Sequence, residues 1–244
     1  MNKERDTDRT AELVKGGSWA EYFKSLDLGV WNASKYEEIL KLFESYYGDF
    51  HQKYLDPQGG PLLELGVGTG ISALPLISLG HRVIGLDNDE NALKMCDLNK
   101  KLSPYPEKLK LVVADLYDSR WHEQFINNEI QCVVSYGVLE HFTEESLSIL
   151  VPQQFNIATL AIAMVPVNTP QSLKFFGATG KESGDIDKNG IFRIFRTTEY
   201  WQKEIFEKNG CQIISTRNLS SLRRSNGEIC DMTIFSLKAQ KSVL

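Results

Sequence analysis

The chain has 244 residues, of which 42% are hydrophobic and 24% charged, with a formal net charge of −5. That is ordinary globular composition, with enough apolar material to bury a sizeable core in one domain. The acidic balance argues against a dedicated nucleic-acid binder, which is normally basic. The four cysteines, Cys96, Cys132, Cys211 and Cys230, form no Cys-x-x-Cys and read as reduced packing residues rather than a metal site.

Residues 1 to 14 are polar and charged and read as a frayed tail without the apolar segment of a secretory signal, so a cytoplasmic location is expected. The longest apolar run, Ile157 to Val167, is too short to span a bilayer. Residues 17 to 50 read as helical. Ser34 followed by Glu37 fits a capping box, and Ile39, Leu40, Leu42, Phe43, Tyr46 and Tyr47 recur near helical spacing behind it. The sequence Pro57 to Pro61 marks the entry to a second unit. Residues 1–54 are therefore expected to form a tail and helical cap, and 55–244 the core.

Within the core, strands and helices alternate. Strands are expected at Leu62 to Leu65, Arg82 to Leu86, Leu109 to Ala114, Cys132 to Ser135 and Ile157 to Val165. Helices are expected at Ile71 to Leu79, Asn88 to Leu102, Arg120 to Ile126 and Glu144 to Val151. Runs apolar on both faces imply central parallel strands covered by helices, hence a doubly wound α/β sheet. Pro166 to Gly190 shows little periodicity and reads as a long functional loop. A helix from Thr198 to Lys208 is followed by two strands, Cys211 to Arg217 and Ile229 to Leu237. These flank a turn at Ser225-Asn226-Gly227 and are close enough in sequence to pair antiparallel.

The most informative segment is Leu62-Leu63-Glu64-Leu65-Gly66-Val67-Gly68-Thr69-Gly70. A strand runs into alternating glycines and then a helix, whose N-terminus presents free N–H groups. The spacing differs from the G-x-G-x-x-G of nicotinamide enzymes, and no Gly-Lys-Ser/Thr of a phosphate-cradling loop is present. Glu64 is an acid at the end of an apolar strand, which is expensive unless it meets a cation or hydrogen-bond donors. Asp87 ends the second strand 21 positions after Gly66, the spacing at which an acid accepts from ribose hydroxyls. Asp115 ends the third strand and is placed to accept from an adenine amine. The fourth ends in Tyr136-Gly137-Val138-Leu139-Glu140-His141.

Together, Glu64-x-Gly66-x-Gly68-x-Gly70, Gly85-Leu86-Asp87, Ala114-Asp115-Leu116 and Gly137-Val138-Leu139-Glu140-His141 resemble a class I S-adenosylmethionine-dependent methyltransferase, strongly over residues 55 to 165. The resemblance implies a Rossmann-like α/β fold. Its mostly parallel sheet would have seven strands, the last antiparallel, with helices on both faces and an N-terminal helical cap. It implies S-adenosylmethionine as cofactor, with Glu64, Gly66 and Gly68 holding the methionine part, Asp87 and Asn88 the ribose side, Asp115 and Leu116 the adenine, and Tyr136 lining the sulfonium side. Tyr22 and Trp31 are the cap aromatics expected over the cofactor, where a sulfonium cation is attracted to a ring face. His141 is the candidate catalytic base, its ordinary pKa suiting proton transfer near neutrality. Arg193 and Arg196 are read either as a clamp for a substrate anion or as a solvated face. Arg223-Arg224 reads as exposed turn. Gln131 stands where the family commonly has Asp. The expected reaction is in-line methyl transfer to an O or N atom of a small-molecule acceptor, with no nucleic-acid or membrane partner. The alternatives are a protein or tRNA methyltransferase, or a cofactor-binding partner without turnover.

Overall fold

Five short apolar runs become the parallel strands β1 (Leu62–Leu65), β2 (Val83–Asp87), β3 (Leu109–Val113), β4 (Cys132–Tyr136) and β5 (Leu160–Pro166) of a computed structural model that describes residues 19–181, 184–223 and 229–240. With the long strands β8 (Cys211–Arg223) and β9 (Ile229–Ala239), they form a seven-stranded sheet of order β3-β2-β1-β4-β5-β9-β8. β9, the last in the chain, is inserted antiparallel between β5 and β8. This is the Rossmann-like arrangement expected from the sequence. A small hairpin, β6 (Asp185–Ile186) with β7 (Phe192–Arg193), stands apart.

The core lies on both sides of the sheet because side chains alternate along each strand. Leu62 and Val134 join one apolar cluster, with Ile39, Phe43, Leu74 and Leu93. Those partners come from α2 (Ala33–Tyr54), α3 (Ala73–Ser78) and α4 (Glu90–Asn99). Leu63 and Val133 join the opposite cluster, with Leu147 and Leu150 of α5 (Glu144–Gln154) and with Trp201 and Phe206. All four residues of β1 are buried, as a strand covered on both faces must be. Register aligns Leu65 with Leu86 of β2 and Ser135 of β4, so the carboxyl ends of these strands open at one edge.

Several elements differ from the expectation. The N-terminal helical stretch is two helices, α1 (Trp19–Ser25) and α2, broken where Asp27 takes a positive φ of 57°. The cap of α2 is Asn32, whose side chain accepts from the Lys35 amide, rather than the Ser34–Glu37 box. The 166–190 stretch is not one loop. It holds α6 (Pro170–Phe176), opened by Thr169 and closed by left-handed Gly177, and then β6. Seven residues are too few to display helical periodicity in a sequence. The Arg120–Ile126 helix shrinks to a 3₁₀ turn, Glu123–Phe125. The Thr198–Lys208 helix is present as α7 (Thr198–Tyr200), running into a π-helical segment, Trp201–Glu207. Gln131 exchanges two hydrogen bonds with the backbone of Asp56, which fastens the entry turn to β4. The tail at residues 1 to 14 and the Ser225-Asn226-Gly227 turn, with Arg224, lie outside the described residues. Among the described residues no helix is long and apolar enough to cross a membrane.

One polar residue ties the cap to the sheet edge. Asn99, at the end of α4, is buried and accepts from the Trp31 amide (2.8 Å). It also donates to the carbonyls of Gly29 (2.8 Å) and Thr69 (3.0 Å). Asn99→Ala orphans three backbone groups, each worth about 1–3 kcal/mol when buried and unpaired. Urea unfolding is expected to show a loss on the order of 3 kcal/mol; a loss below about 1 kcal/mol contradicts this role.

Candidate active site

The glycine loop leaves β1 with Gly66 and Gly68 at φ of 64° and 54°, the left-handed region that a Cβ disfavours. A Cβ on Gly66 would lie 2.8 Å from Val138 Cγ2, and one on Gly68 2.6 Å from Phe23 Cζ. The loop is thus clasped between the turn after β4 and helix α1. Gly66 lines a large cavity at the strand ends. Gly68 does not: the Phe23 ring fills the space beside it, and its role here is to donate its amide to Asp87 Oδ2 at 2.8 Å.

Two carboxylates meet at this edge. Asp87 Oδ2 takes the Gly68 amide, and its Oδ1 takes the Asp89 amide at 2.9 Å. Burial raises the Asp87 pKa against the pull of these donors. Glu64 is 3% exposed, and its Oε2 has no hydrogen-bond partner in the structure. Burial, reinforced by the charge of Asp87, pushes its pKa well above the ordinary carboxylate value. A buried acid with an unpaired oxygen beside a second acid is stabilised by any cation that reaches it.

The cavity occupies about 1180 Å³. It is lined by Glu64, Gly66, Asp87, Asn88, Asp115, Leu116, Tyr136, Tyr22 and His141, so these sequence-expected residues share one space. Asn88 and Asp115 are exposed at its rim, and Asp115 Oδ1 accepts from the Tyr117 amide. Trp31 is not among the lining residues. Its amide is held by Asn99 and its indole Nε1 donates to the Leu28 carbonyl, so its ring packs into the core instead of facing a ligand.

His141 and Arg193 depart from their expected roles. His141 Nδ1 is 2.7 Å from the Phe192 carbonyl, an acceptor, so Nδ1 carries the proton. Its Nε2 faces Arg193 Nη1 at 3.2 Å and accepts from it. Burial and the Arg193 charge hold its pKa well below the ordinary value. With both nitrogens committed, His141 has no lone pair with which to act as a general base. Arg193 is itself buried between Glu140 (3.0 Å) and Asp187 (3.0 Å), donates to the Tyr22 hydroxyl (3.1 Å), and stacks on Phe176 at 4.3 Å. Arg196 pairs with Glu144 at 2.8 Å. The two arginines form no clamp; Arg193 instead joins cap, hairpin and the turn after β4.

Sequence reasoning missed Asp89, Asn99 and His51. Asp89 caps α4 through Oδ1 and receives the Ala20 amide of α1 at 2.9 Å. The acid-rich start of α4 was its only visible signal. His51, on α2, hydrogen-bonds through Nε2 to the Tyr136 hydroxyl, a pairing across 85 positions that no local pattern announces.

Comparisons with known proteins point to methyltransferases. Residues 63–151 match the family model described as "Methyltransferase domain". A 63-residue stretch is 41% identical to a probable cobalt-precorrin-6B C(15)-methyltransferase (decarboxylating) of Thermoplasma volcanium, covering 24% of this chain and 31% of that relative. Among solved structures, an S-adenosylmethionine-dependent methyltransferase of Methanosarcina mazei superposes with a TM-score of 0.63 at 16% identity, over 78% of this chain and 97% of the other. A glycopeptide N-methyltransferase complexed with S-adenosyl-L-homocysteine does so with a TM-score of 0.59 at 14% identity, over 79% and 87%. At such identities the structural likeness is one of fold.

Arg193→Leu strands the buried Glu140 and Asp187 charges, at a cost of about 3–5 kcal/mol. Burial already pushes the Glu140 carboxyl up to about 7, against the pull of Arg193. Stability tied to its protonated form is complete below the ordinary carboxylate pKa and is lost as pH rises through about 7. The deficit of Arg193→Leu in thermal melts is therefore expected to be largest at pH 8 and to shrink at pH 5. A deficit independent of pH contradicts the assignment.

Proposed function

We propose that this chain, whose residues 63–151 form a class I methyltransferase domain, transfers a methyl group from S-adenosylmethionine to an oxygen or nitrogen atom of a small molecule. The observation that carries the proposal is the unpaired Glu64 Oε2, buried at the end of β1 and within electrostatic reach of Asp87 at the end of β2. Glu64 would hold the ammonium of the methionine part, giving up its proton and gaining a partner for its unpaired oxygen. Asp87 keeps acceptor capacity on each oxygen after accepting from Gly68 and Asp89, and would accept from the ribose hydroxyls. Asp115, Leu116 and Asn88 line the adenine and ribose side, and α1 and α2 act as the cap over a core that begins near Leu55.

Bound there, S-adenosylmethionine supplies a methyl group already activated by its sulfonium. The chain's own contribution is alignment and exclusion of water, which is worth roughly 7–11 kcal/mol for well-oriented reactants. Phe23 of α1 packs over the glycine loop, and its neighbour Tyr22 ties the helix to the Arg193 network. His141 serves as part of that network. A cavity of about 1180 Å³ exceeds the roughly 300–1,000 Å³ of a single-ligand site, which supports a second small molecule beside the cofactor rather than a docked protein or tRNA.

Calorimetry with S-adenosylhomocysteine tests the cofactor site. Glu64 would give up its proton on pairing with the ammonium, so binding at a pH below its raised midpoint is expected to release protons. This appears as a dependence of the heat on buffer ionisation enthalpy. Glu64→Gln is expected to abolish that dependence and to weaken binding about 10- to 100-fold, the loss of one charge-assisted bond. Undiminished affinity in Glu64→Gln refutes the site. Turnover is tested with labelled S-adenosylmethionine and a panel of small acceptors: labelled product is expected, and binding without any product would favour a partner protein that lacks turnover.

A further inference from the structure

One end of the cavity has a polarity that its hydrogen bonds determine. His51 Nδ1 is 2.8 Å from the Tyr47 carbonyl, which can only accept, so Nδ1 carries the ring proton. Burial lowers the His51 pKa to about 4, so the ring is neutral at pH 7 and Nε2 holds a bare lone pair. That lone pair is hydrogen-bonded to the Tyr136 hydroxyl, which must therefore donate. Burial and the nearby charge of Glu64 raise the Tyr136 pKa, so the phenol keeps its proton for that bond. The Tyr47 hydroxyl likewise gives its proton to Met164 Sδ at 3.0 Å.

Both phenol protons thus have fixed destinations. His51 lies buried, and Tyr136 lines the cavity. What Tyr136 offers to a ligand is an oxygen that can only accept. The surrounding walls are Tyr47, Met164, Phe175, Phe176 and Met232, without a charged side chain among them. Arg193, which reaches this end through Phe176, is occupied by Glu140 and Asp187. The electrostatic influence of Glu64 on Tyr136 places the phenol where the carboxylate-lined end meets the apolar end.

We propose, resting on the methyl-transfer reading above, that this end is the acceptor subsite for an uncharged, largely aromatic molecule bearing a hydroxyl. Tyr136 accepts the hydrogen bond from that hydroxyl, and His51 is the positioning residue that directs the Tyr136 proton away from it. A carboxylate or phosphate would find no uncommitted cation: of the two that line the cavity, Arg193 is paired with Glu140 and Asp187, and Lys35 with Asp27 and Glu38. On transfer the hydroxyl oxygen forms its bond to the methyl carbon as the methyl–sulfur bond breaks, and the hydroxyl proton passes to the Tyr136 oxygen as Tyr136 yields its own to His51 Nε2; the methyl ether formed has no proton to give Tyr136 and is released.

The probes are 1-naphthol, 1-methoxynaphthalene and 1-naphthoate, titrated by calorimetry into the free full-length protein and into protein saturated with S-adenosylhomocysteine. Wild type is expected to bind 1-naphthol about tenfold more tightly than the ether or the carboxylate, the worth of one buried hydrogen bond. Tyr136→Phe is expected to erase the naphthol-over-ether preference. His51→Leu frees the Tyr136 proton to turn into the cavity, so the preference is expected to narrow or invert in favour of the ether. A merely structural His51 would weaken both ligands alike. Equal binding of naphthol and ether by the wild type, or tighter binding of naphthoate, overturns the inference. Failure of S-adenosylhomocysteine to bind refutes the cofactor site instead, since the naphthol series in free protein reads Tyr136 independently.

Discussion

The arrangement depends on a carboxylate held where a carboxylate should not be stable. Glu64 belongs to a strand buried on both faces, one of its oxygens is unpartnered, and Asp87 stands near enough to add its own repulsion. Parallel pairing enforces the conflict. The register that aligns β1 with β2 and β4 brings their carboxyl ends to one edge, and every acid on those ends faces the same opening. The fold tolerates the cost because a large core on both faces of the sheet supports it. A site with built-in electrostatic strain of this kind selects for positive charge without any specific shape.

Around that edge, several polar contacts join the cap to the core. Asn99 holds the segment before α2, Asp89 holds α1, and Thr69 donates to the Leu28 carbonyl at 2.7 Å. Arg193 closes the far side through Tyr22, Glu140 and Asp187. The cap is thereby fixed by buried polar groups, which are directional, rather than by apolar packing alone. This fixes the cap beside the cavity, whose apolar end, with Tyr136 and His51, is the proposed acceptor subsite.

Most of the sheet was legible in the sequence because central parallel strands are short runs apolar on both faces, and the glycines and acids at their ends recur at regular spacing. Glu64, Asp87 and Gly66 were readable for the same reason: each sits at a fixed offset from a strand end. The features that escaped the sequence depend on distant partners. His141 reads as a base from its position alone, and only Phe192 and Arg193, more than fifty positions away, show that both its nitrogens are occupied. Trp31 reads as a cap aromatic until Asn99 draws its backbone inward. Arg193 reads as a surface clamp until Asp187 and Glu140 bury it. The helix α6 escaped notice because it is seven residues long. The motif set marks the strand-end edge, whereas the apolar end of the cavity is built from α2, β4, β5, α6 and β9, which no single motif spans.

The most direct measurement of the central claim is the titration of Glu64 itself. Carbon-13 NMR of protein carrying labelled glutamate, with Glu64→Gln to assign the signal, follows that carboxyl in the free state and with S-adenosylhomocysteine bound. The account predicts a midpoint well above that of exposed glutamates in the free protein, falling when the ligand's ammonium is present. A Glu64 carboxyl that titrates like an exposed glutamate, or that is indifferent to the ligand, would contradict it.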